Sequence, residues 1–190
     1  MIEVNRETKE TQISVKVNLY GTGKANINTG VGFYDHMLEA FTKHAHIDLE
    51  VTCKGDTHID DHHTVEDVAI VIGQALRQAI YPVQSIERFG NATVVMDEAS
   101  ITCDIDLSNR GFLVFELPIG GKVGDFDVEL VEEFFKAFAF NLPLTLHLIY
   151  NRGKNKHHII EGAFKALAVA LRRAVTVNEN AGIPSTKGVL

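Results

Sequence analysis

The chain contains one phrase twice. Residues 60–67 read Asp60-Asp61-His62-His63-Thr64-Val65-Glu66-Asp67, and residues 156–162 read Lys156-His157-His158-Ile159-Ile160-Glu161-Gly162. Each holds His-His-x-x-Glu, and each opens a long segment of helical apolar periodicity. On a helix the glutamate lies one turn from both histidines. Neighbouring side chains diverge by about 100°, because a helix turns once in about 3.6 residues. The two histidines of a pair therefore aim apart and can hardly chelate one ion together. Two copies of the phrase imply two metal ions, with each phrase giving one histidine to each.

The repetition extends well beyond the phrase. Gln74-Ala75-Leu76-Arg77-Gln78-Ala79-Ile80 answers Val169-Ala170-Leu171-Arg172-Arg173-Ala174-Val175 at the same distance after it. Leu38-Glu39-Ala40-Phe41 answers Phe135-Lys136-Ala137-Phe138, and Ile47-Asp48-Leu49 answers Leu144-Thr145-Leu146. Residues 10–17 answer residues 98–105. Correspondences in one order along both halves mark an internal duplication, with its seam near Ile86–Asn91. The pattern predicts strands at 11–20, 25–29 and 47–54 and helices at 32–45 and 62–80 in the first half. In the second it predicts strands near 92–97, 100–107, 112–118 and 144–150, and helices at about 127–141 and 157–176. Gly21-Thr22-Gly23 reads as a turn, with a phosphate cradle as the weaker reading. The expected fold is α+β: two similar half-domains, residues 1–88 and 89–190, form one compact domain with a layer of four helices between two small sheets.

Composition narrows the function. At 190 residues, 45% hydrophobic and 23% charged, the chain is long enough to bury a sizeable core and is ordinary for a globular protein. No apolar run reaches the roughly 20 residues that span a bilayer. The start, Met1-Ile2-Glu3-Val4-Asn5-Arg6, lacks the plan of a signal peptide. Cys53 and Cys103 fall in strand-like stretches without metal-binding spacing, which fits buried thiols in a reducing, cytoplasmic setting. A net charge of −7 argues against a nucleic-acid partner. Any phosphate site must be a local basic cluster.

The repeat supplies further metal-ligand candidates. His36 is matched by Glu133 in the second half. The inventory becomes His36, His62, His63 and Glu66 with Glu133, His157, His158 and Glu161. Five imidazoles and three carboxylates suit manganese, iron or zinc, and the lack of cysteine disfavours a structural zinc site. His44, His46 and His58 have no ligand-type partner in the repeat, and His147 falls within a strand. Asp60 and Asp61 are candidates to orient ligand imidazoles, or simply to solvate their loop.

At these residues the chain closely resembles the imidazoleglycerol-phosphate dehydratase family of histidine biosynthesis. The resemblance runs nearly end to end. It rests on Arg6-Glu7-Thr8-Lys9-Glu10-Thr11, on residues 29–38 and 55–67, and on Arg88-Phe89-Gly90, Met96-Asp97-Glu98, Phe164-Lys165-Ala166 and Pro184-Ser185-Thr186-Lys187-Gly188. It implies two manganese ions per site, a duplicated half-domain fold, and a homo-oligomeric 24-subunit shell with sites between subunits. Its metal positions match His36, His62, His63, Glu66, His157, His158 and Glu161. The eighth ligand is usually a histidine in a Glu-His-Phe phrase, which here reads Glu132-Glu133-Phe134; a carboxylate replaces an imidazole readily at a hard ion. Arg88, Arg110, Ser185 and Lys187 fall where the family holds phosphate, a role that suits arginine forks and a lysine. The family's Ser-Gly-Arg reads Ser108-Asn109-Arg110, which bears on the shape of that loop. Glu10 falls near the substrate's glycerol carbons.

The implied reaction removes water from a diol beside an imidazole ring. The hydrogen to be lost is not next to a carbonyl, so the ring must supply the push. Metal ions at the ring nitrogens stabilise an imidazolate, which expels the adjacent hydroxyl, and the product enol ketonises. Glu10 is the candidate for proton transfer at these carbons. Two rival readings are a two-metal phosphate-ester hydrolase and a non-catalytic metal-storage shell. The separate cations Arg88, Arg110 and Lys187 count against the second.

Overall fold

The computed structural model describes residues 1–190. The first half runs β1 (Ile2–Glu7), β2 (Thr11–Asn18), β3 (Ala25–Asn28), α1 (Gly32–Ala45), β4 (Asp48–Gly55) and α2 (His62–Ile80). The second half runs β5 (Phe89–Met96), β6 (Ala99–Asp106), β7 (Phe112–Glu116), α3 (Leu130–Asn141), β10 (Thr145–Arg152) and α4 (Lys156–Ala174). A small hairpin, β8 (Lys122–Val123) and β9 (Phe126–Asp127), stands between β7 and α3. The strand orders are β1-β2-β4-β3 and β5-β6-β10-β7. Each sheet has two antiparallel pairings followed by one parallel pairing.

Alternation along the strands puts one face of each sheet inward. Ile13, Val15 and Val17 are buried on β2, and Ile101, Cys103 and Ile105 are buried on β6. Helices α1 and α2 pack on the first sheet, and α3 and α4 on the second. The helices also pack across the halves, α1 on α4 and α2 on α3. The four-helix layer between two sheets is therefore present as expected. Because α4 has a sheet on one side and a helix on the other, its buried face is wide: Ile159, Ile160, Ala163, Phe164, Leu167, Ala170 and Leu171 are all enclosed. Phe134 and Phe164, with ring centroids 4.6 Å apart, join α3 to α4 at its centre. Gly90 lets β5 cross α4 closely, since a side-chain carbon there would collide with the Ala170 carbonyl oxygen.

Two details depart from the sequence pattern, and a third supports its preferred reading. Strand β1 was not expected, because Arg6 interrupts its apolar alternation at an inward position. Helix α3 begins at Leu130 rather than near 127, because Phe126 and Asp127 pair with Val123 and Lys122. The glycine turn at 21–23 is a turn and not a phosphate cradle. Asp48 Oδ1 already accepts from Thr22 N at 2.8 Å and Lys24 N at 3.1 Å, filling the place an anion would take.

Those two backbone N–H groups hold the Asp48 carboxyl down at about 2. A depressed acid contributes stability that is full above its unfolded value of about 3.9 and fades as pH falls through the folded value. Urea unfolding midpoints should therefore separate the parent from Asp48→Asn at pH 7. The gap should narrow below about pH 4 and close near pH 2.

Candidate metal centre and phosphate groove

The helix starts aim the candidate ligands. Asn155 caps α4, its side-chain oxygen accepting from His158 N at 3.3 Å, so His157 and His158 sit in the first turn. Asp60 performs the similar task for α2, with Oδ1 accepting from His62 N at 2.8 Å. On α1, Asp35 reaches back to accept from Thr29 N at 2.9 Å, fixing the turn that leads to His36.

Three of the expected ligands converge. His36 Nε2 lies 3.3 Å and His157 Nε2 3.0 Å from the same Glu161 oxygen, Oε2. The three donor atoms lie within 4.8 Å of one another. Donors at adjacent vertices of an octahedral ion stand about 3 Å apart, so two imidazoles and one carboxylate oxygen fit a divalent cation here. His36 comes from the first half and the other two from the second, which the α1–α4 packing makes possible. Burial alone would raise the Glu161 carboxyl. The Lys165 ammonium, 2.6 Å from its other oxygen, together with His157 brings it below the ordinary value.

The first phrase, at residues 60–67, stands apart. His62 Nε2 is 3.3 Å from Glu66 Oε2. Glu133 lines a cavity of about 200 Å³ with Glu66 and lies 3.9 Å from Lys136. Under the duplication, His62, Glu66 and Glu133 are the counterparts of His157, Glu161 and His36. The rings of each pair stand apart, with centroids 6.2 Å apart for His62 and His63 and 6.3 Å apart for His157 and His158.

Each second histidine is held from behind by a carboxylate. His63 Nδ1 meets Asp56 Oδ2 at 2.9 Å, and His158 Nδ1 meets Glu98 Oε2 at 2.8 Å. A carboxylate only accepts, so each Nδ1 carries the hydrogen and each Nε2 is left to bind. Hydrogen bonding to Asp56 raises His63, and hydrogen bonding to His63 lowers Asp56. Glu98 also accepts from Asn155 N at 2.7 Å and Lys154 N at 3.0 Å, which with His158 brings it to about 2. Its repeat partner Glu10 is exposed, with Oε1 3.8 Å from His63 Nε2.

Sequence reasoning missed Asp56, and it offered Asp60 and Asp61 as candidates either to hold imidazoles or simply to solvate their loop. Asp60 takes a backbone N–H instead. Asp61 bonds no imidazole, and its carboxyl is raised by burial and by Asp60 and Asp127. Adjacency in sequence was the wrong signal, because the loop 56–61 turns back so that its first residue reaches the ring.

The four expected phosphate residues line one groove of about 710 Å³. Arg88, Arg110, Ser185 and Lys187 meet there with Ser108, Asn109 and Thr186, and no candidate metal ligand lines it. Asp106 holds Arg88 in a fork, 2.7 Å at Nε and 3.1 Å at Nη2, and the Pro184 carbonyl accepts from Nη1 at 2.7 Å. Five donors minus three leaves two N–H groups for an anion. Asn109 takes the glycine's place by adopting φ 55, a left-handed conformation that asparagine tolerates. Its N–H donates to Tyr81 Oη at 3.2 Å, and Tyr81 in turn donates to the Pro143 carbonyl at 2.8 Å.

Comparison with known proteins gives one consistent result. The family model described as imidazoleglycerol-phosphate dehydratase matches residues 29–171. The chain is 90% identical to the imidazoleglycerol-phosphate dehydratase of Sulfurovum sp. and 68% identical to that of Aliarcobacter butzleri, with full coverage of both chains in each case. Among solved structures, that of the Staphylococcus aureus dehydratase is 40% identical with a TM-score of 0.83, covering 93% of this chain and 99% of that one. The Pyrococcus furiosus enzyme, solved in complex with (S)-C348, is 38% identical with a TM-score of 0.86, covering 98% of this chain and all of that one.

The left-handed turn at Asn109 sets a local expectation. Asn109→Val should lower stability by about 1–2 kcal/mol in urea unfolding, since a branched side chain is strained there. Asn109→Gly should cost less.

Proposed function

The chain belongs to the imidazoleglycerol-phosphate dehydratase family, and we propose that it converts imidazoleglycerol phosphate to imidazole acetol phosphate and water, in histidine biosynthesis. The observation that carries this reading is the meeting of His36, His157 and Glu161 around a point that fits a divalent cation. The same reading gives the remaining ligand roles to His62, His63, Glu66, Glu133 and His158. This set would hold two manganese ions, which would supply Lewis-acid chemistry at the site.

The chain's own residues do the rest. Arg88, Arg110, Ser185 and Lys187 grip the phosphate, with Arg88 oriented in advance by Asp106. Glu10 moves a proton at the glycerol carbons. The contrast with Glu98 supports this role: one copy of the duplicated carboxylate is saturated by two N–H groups and an imidazole, while Glu10 keeps its oxygens exposed. The Asp56 and Glu98 carboxylates hold His63 and His158 with Nε2 outward.

The groove and the ligand cluster do not share a residue within one chain. A complete site with ligands, Glu10 and phosphate grip together is read as lying between copies, and the homo-oligomer of 24 subunits is what the family resemblance implies. No helix is long and apolar enough to cross a membrane, and a cytoplasmic setting belongs to the same reading. So does the division into half-repeats 1–88 and 89–190, supported by the matching strand orders.

The test strips the protein with a chelator and follows imidazole acetol phosphate as manganese is returned. Activity should rise to saturation at about two ions per subunit, the number that the two His-His-x-x-Glu phrases would hold. Saturation at one ion would refute the two-ion arrangement. Release of inorganic phosphate in place of the ketone would point to a two-metal hydrolase. Glu10→Gln should retain metal and substrate yet lose about 100- to 10,000-fold in turnover, the range for a lost general acid or base.

A further inference from the structure

One buried charged group has no part in the chemistry above. Asp67 follows Glu66 on α2 and is 7% exposed. Its Oδ2 accepts from Arg6 Nη1 at 2.7 Å and from Thr11 Oγ1 at 2.5 Å. Arg6 lies near the end of β1 and Thr11 at the start of β2, so one carboxylate ties both strands of this hairpin to the helix. The turn between them is Thr8-Lys9-Glu10-Thr11. Within it the Thr8 hydroxyl accepts from Glu10 N at 3.1 Å and Thr11 N at 3.0 Å.

The duplication provides an internal control. Arg6 pairs with Ile13 and Glu7 with Gln12; in the second half Val94 pairs with Ile101 and Val95 with Ser100. The matching turn is Met96-Asp97-Glu98-Ala99, so Arg6, Thr11 and Asp67 correspond to Val94, Ala99 and Gly162. At these three positions the second half builds the same hairpin against its helix with uncharged residues, and it ties the turn to α4 through Glu98 and His158 instead. A buried ion pair is costly to desolvate and is weak support for stability. The second half shows that the hairpin forms without an ion pair at these positions. It occurs in the half whose turn carries a free carboxylate, and is absent where Glu98 is already fixed by its own hydrogen bonds.

We propose that Asp67, held between Arg6 and Thr11, is a positioning residue that fixes the β1–β2 turn so that Glu10 faces His63. The inference rests on the role given to Glu10 above. With Asp67 in place, Thr11 and Arg6 are anchored on both sides of the turn, and Glu10 stands 3.8 Å from His63 Nε2 without a bond of its own to hold it. Without Asp67 neither strand end keeps a side-chain hydrogen bond to α2, and Glu10 loses its fixed distance to the reacting carbons.

The test uses the assembled, manganese-loaded protein. Asp67→Asn is compared with the combined change Arg6→Val, Thr11→Ala and Asp67→Ala. The combination brings in the second half's strand residues and spares the helix a glycine, so it guards against simple misfolding. Each is made alone and with Glu10→Gln. Both should lower kcat by about 100-fold, the scale of a misplaced catalytic group, with KM and metal content unchanged. Amide hydrogen exchange at Glu10 and Thr11 should quicken while α2 stays protected. In the Glu10→Gln background neither should cause a further loss, because groups that act as one unit are not additive.

Unchanged kcat would overturn the proposal, as would a loss that multiplies with that of Glu10→Gln. Full turnover in Glu10→Gln alone would instead sink the catalytic role of Glu10. In that event quicker exchange at residues 8–11 in Asp67→Asn would still uphold the fixing of the turn, and unchanged exchange would overturn it.

Discussion

The site depends on helices that pair across the duplication rather than within it. Each half alone has two helices on one face of a sheet, leaving their outer sides apolar and uncovered. Packing α1 on α4 and α2 on α3 covers both. The same packing carries His36 to His157 and Glu161, residues that belong to different halves. Burial drives the arrangement, and the ligand cluster is a by-product of its geometry. Lys165 offsets the residual cost by holding the second oxygen of Glu161 at 2.6 Å.

Duplication also shows how equivalent positions divide their labour. Glu98 is absorbed into structure by two backbone N–H groups and His158, whereas Glu10 is left exposed beside His63. Asp56 takes over in the first half the imidazole-holding task that Glu98 performs in the second. Asp67 is a charged residue where its counterpart is Gly162, and Glu133 stands where its counterpart is His36. The backbone plan is symmetric, and the chemistry is not.

Much of this was legible in the sequence because it is periodic. The repeated His-His-x-x-Glu, the matched helices and the alternation of Ile13, Val15 and Val17 each report a local rule. The convergence of Arg88, Arg110, Ser185 and Lys187 on one groove followed from resemblance and not from spacing, since these residues span a hundred positions of chain. What escaped was tertiary. Arg6 hides β1 because an inward arginine makes sense only once Asp67 is known to meet it. Asp56 was passed over in favour of Asp60 and Asp61 because a loop's direction is not written in its composition. The turn at Asn109 was open to doubt until its φ of 55 placed it in a conformation that asparagine tolerates.

The pairing of α1 with α4 has a consequence for synthesis. His36 and Glu161 are separated by 125 positions, so their meeting is among the last events open to a chain made from its N-terminus. A ribosome-bound fragment that lacks α4 leaves the outer side of α1 uncovered and has no three-donor cluster to offer an ion. Such long-range closure is slow compared with local helix formation, because loop entropy must be overcome before the contact rewards it. The cluster therefore forms only once α4 has been made, and a product truncated before it is left without the three donors.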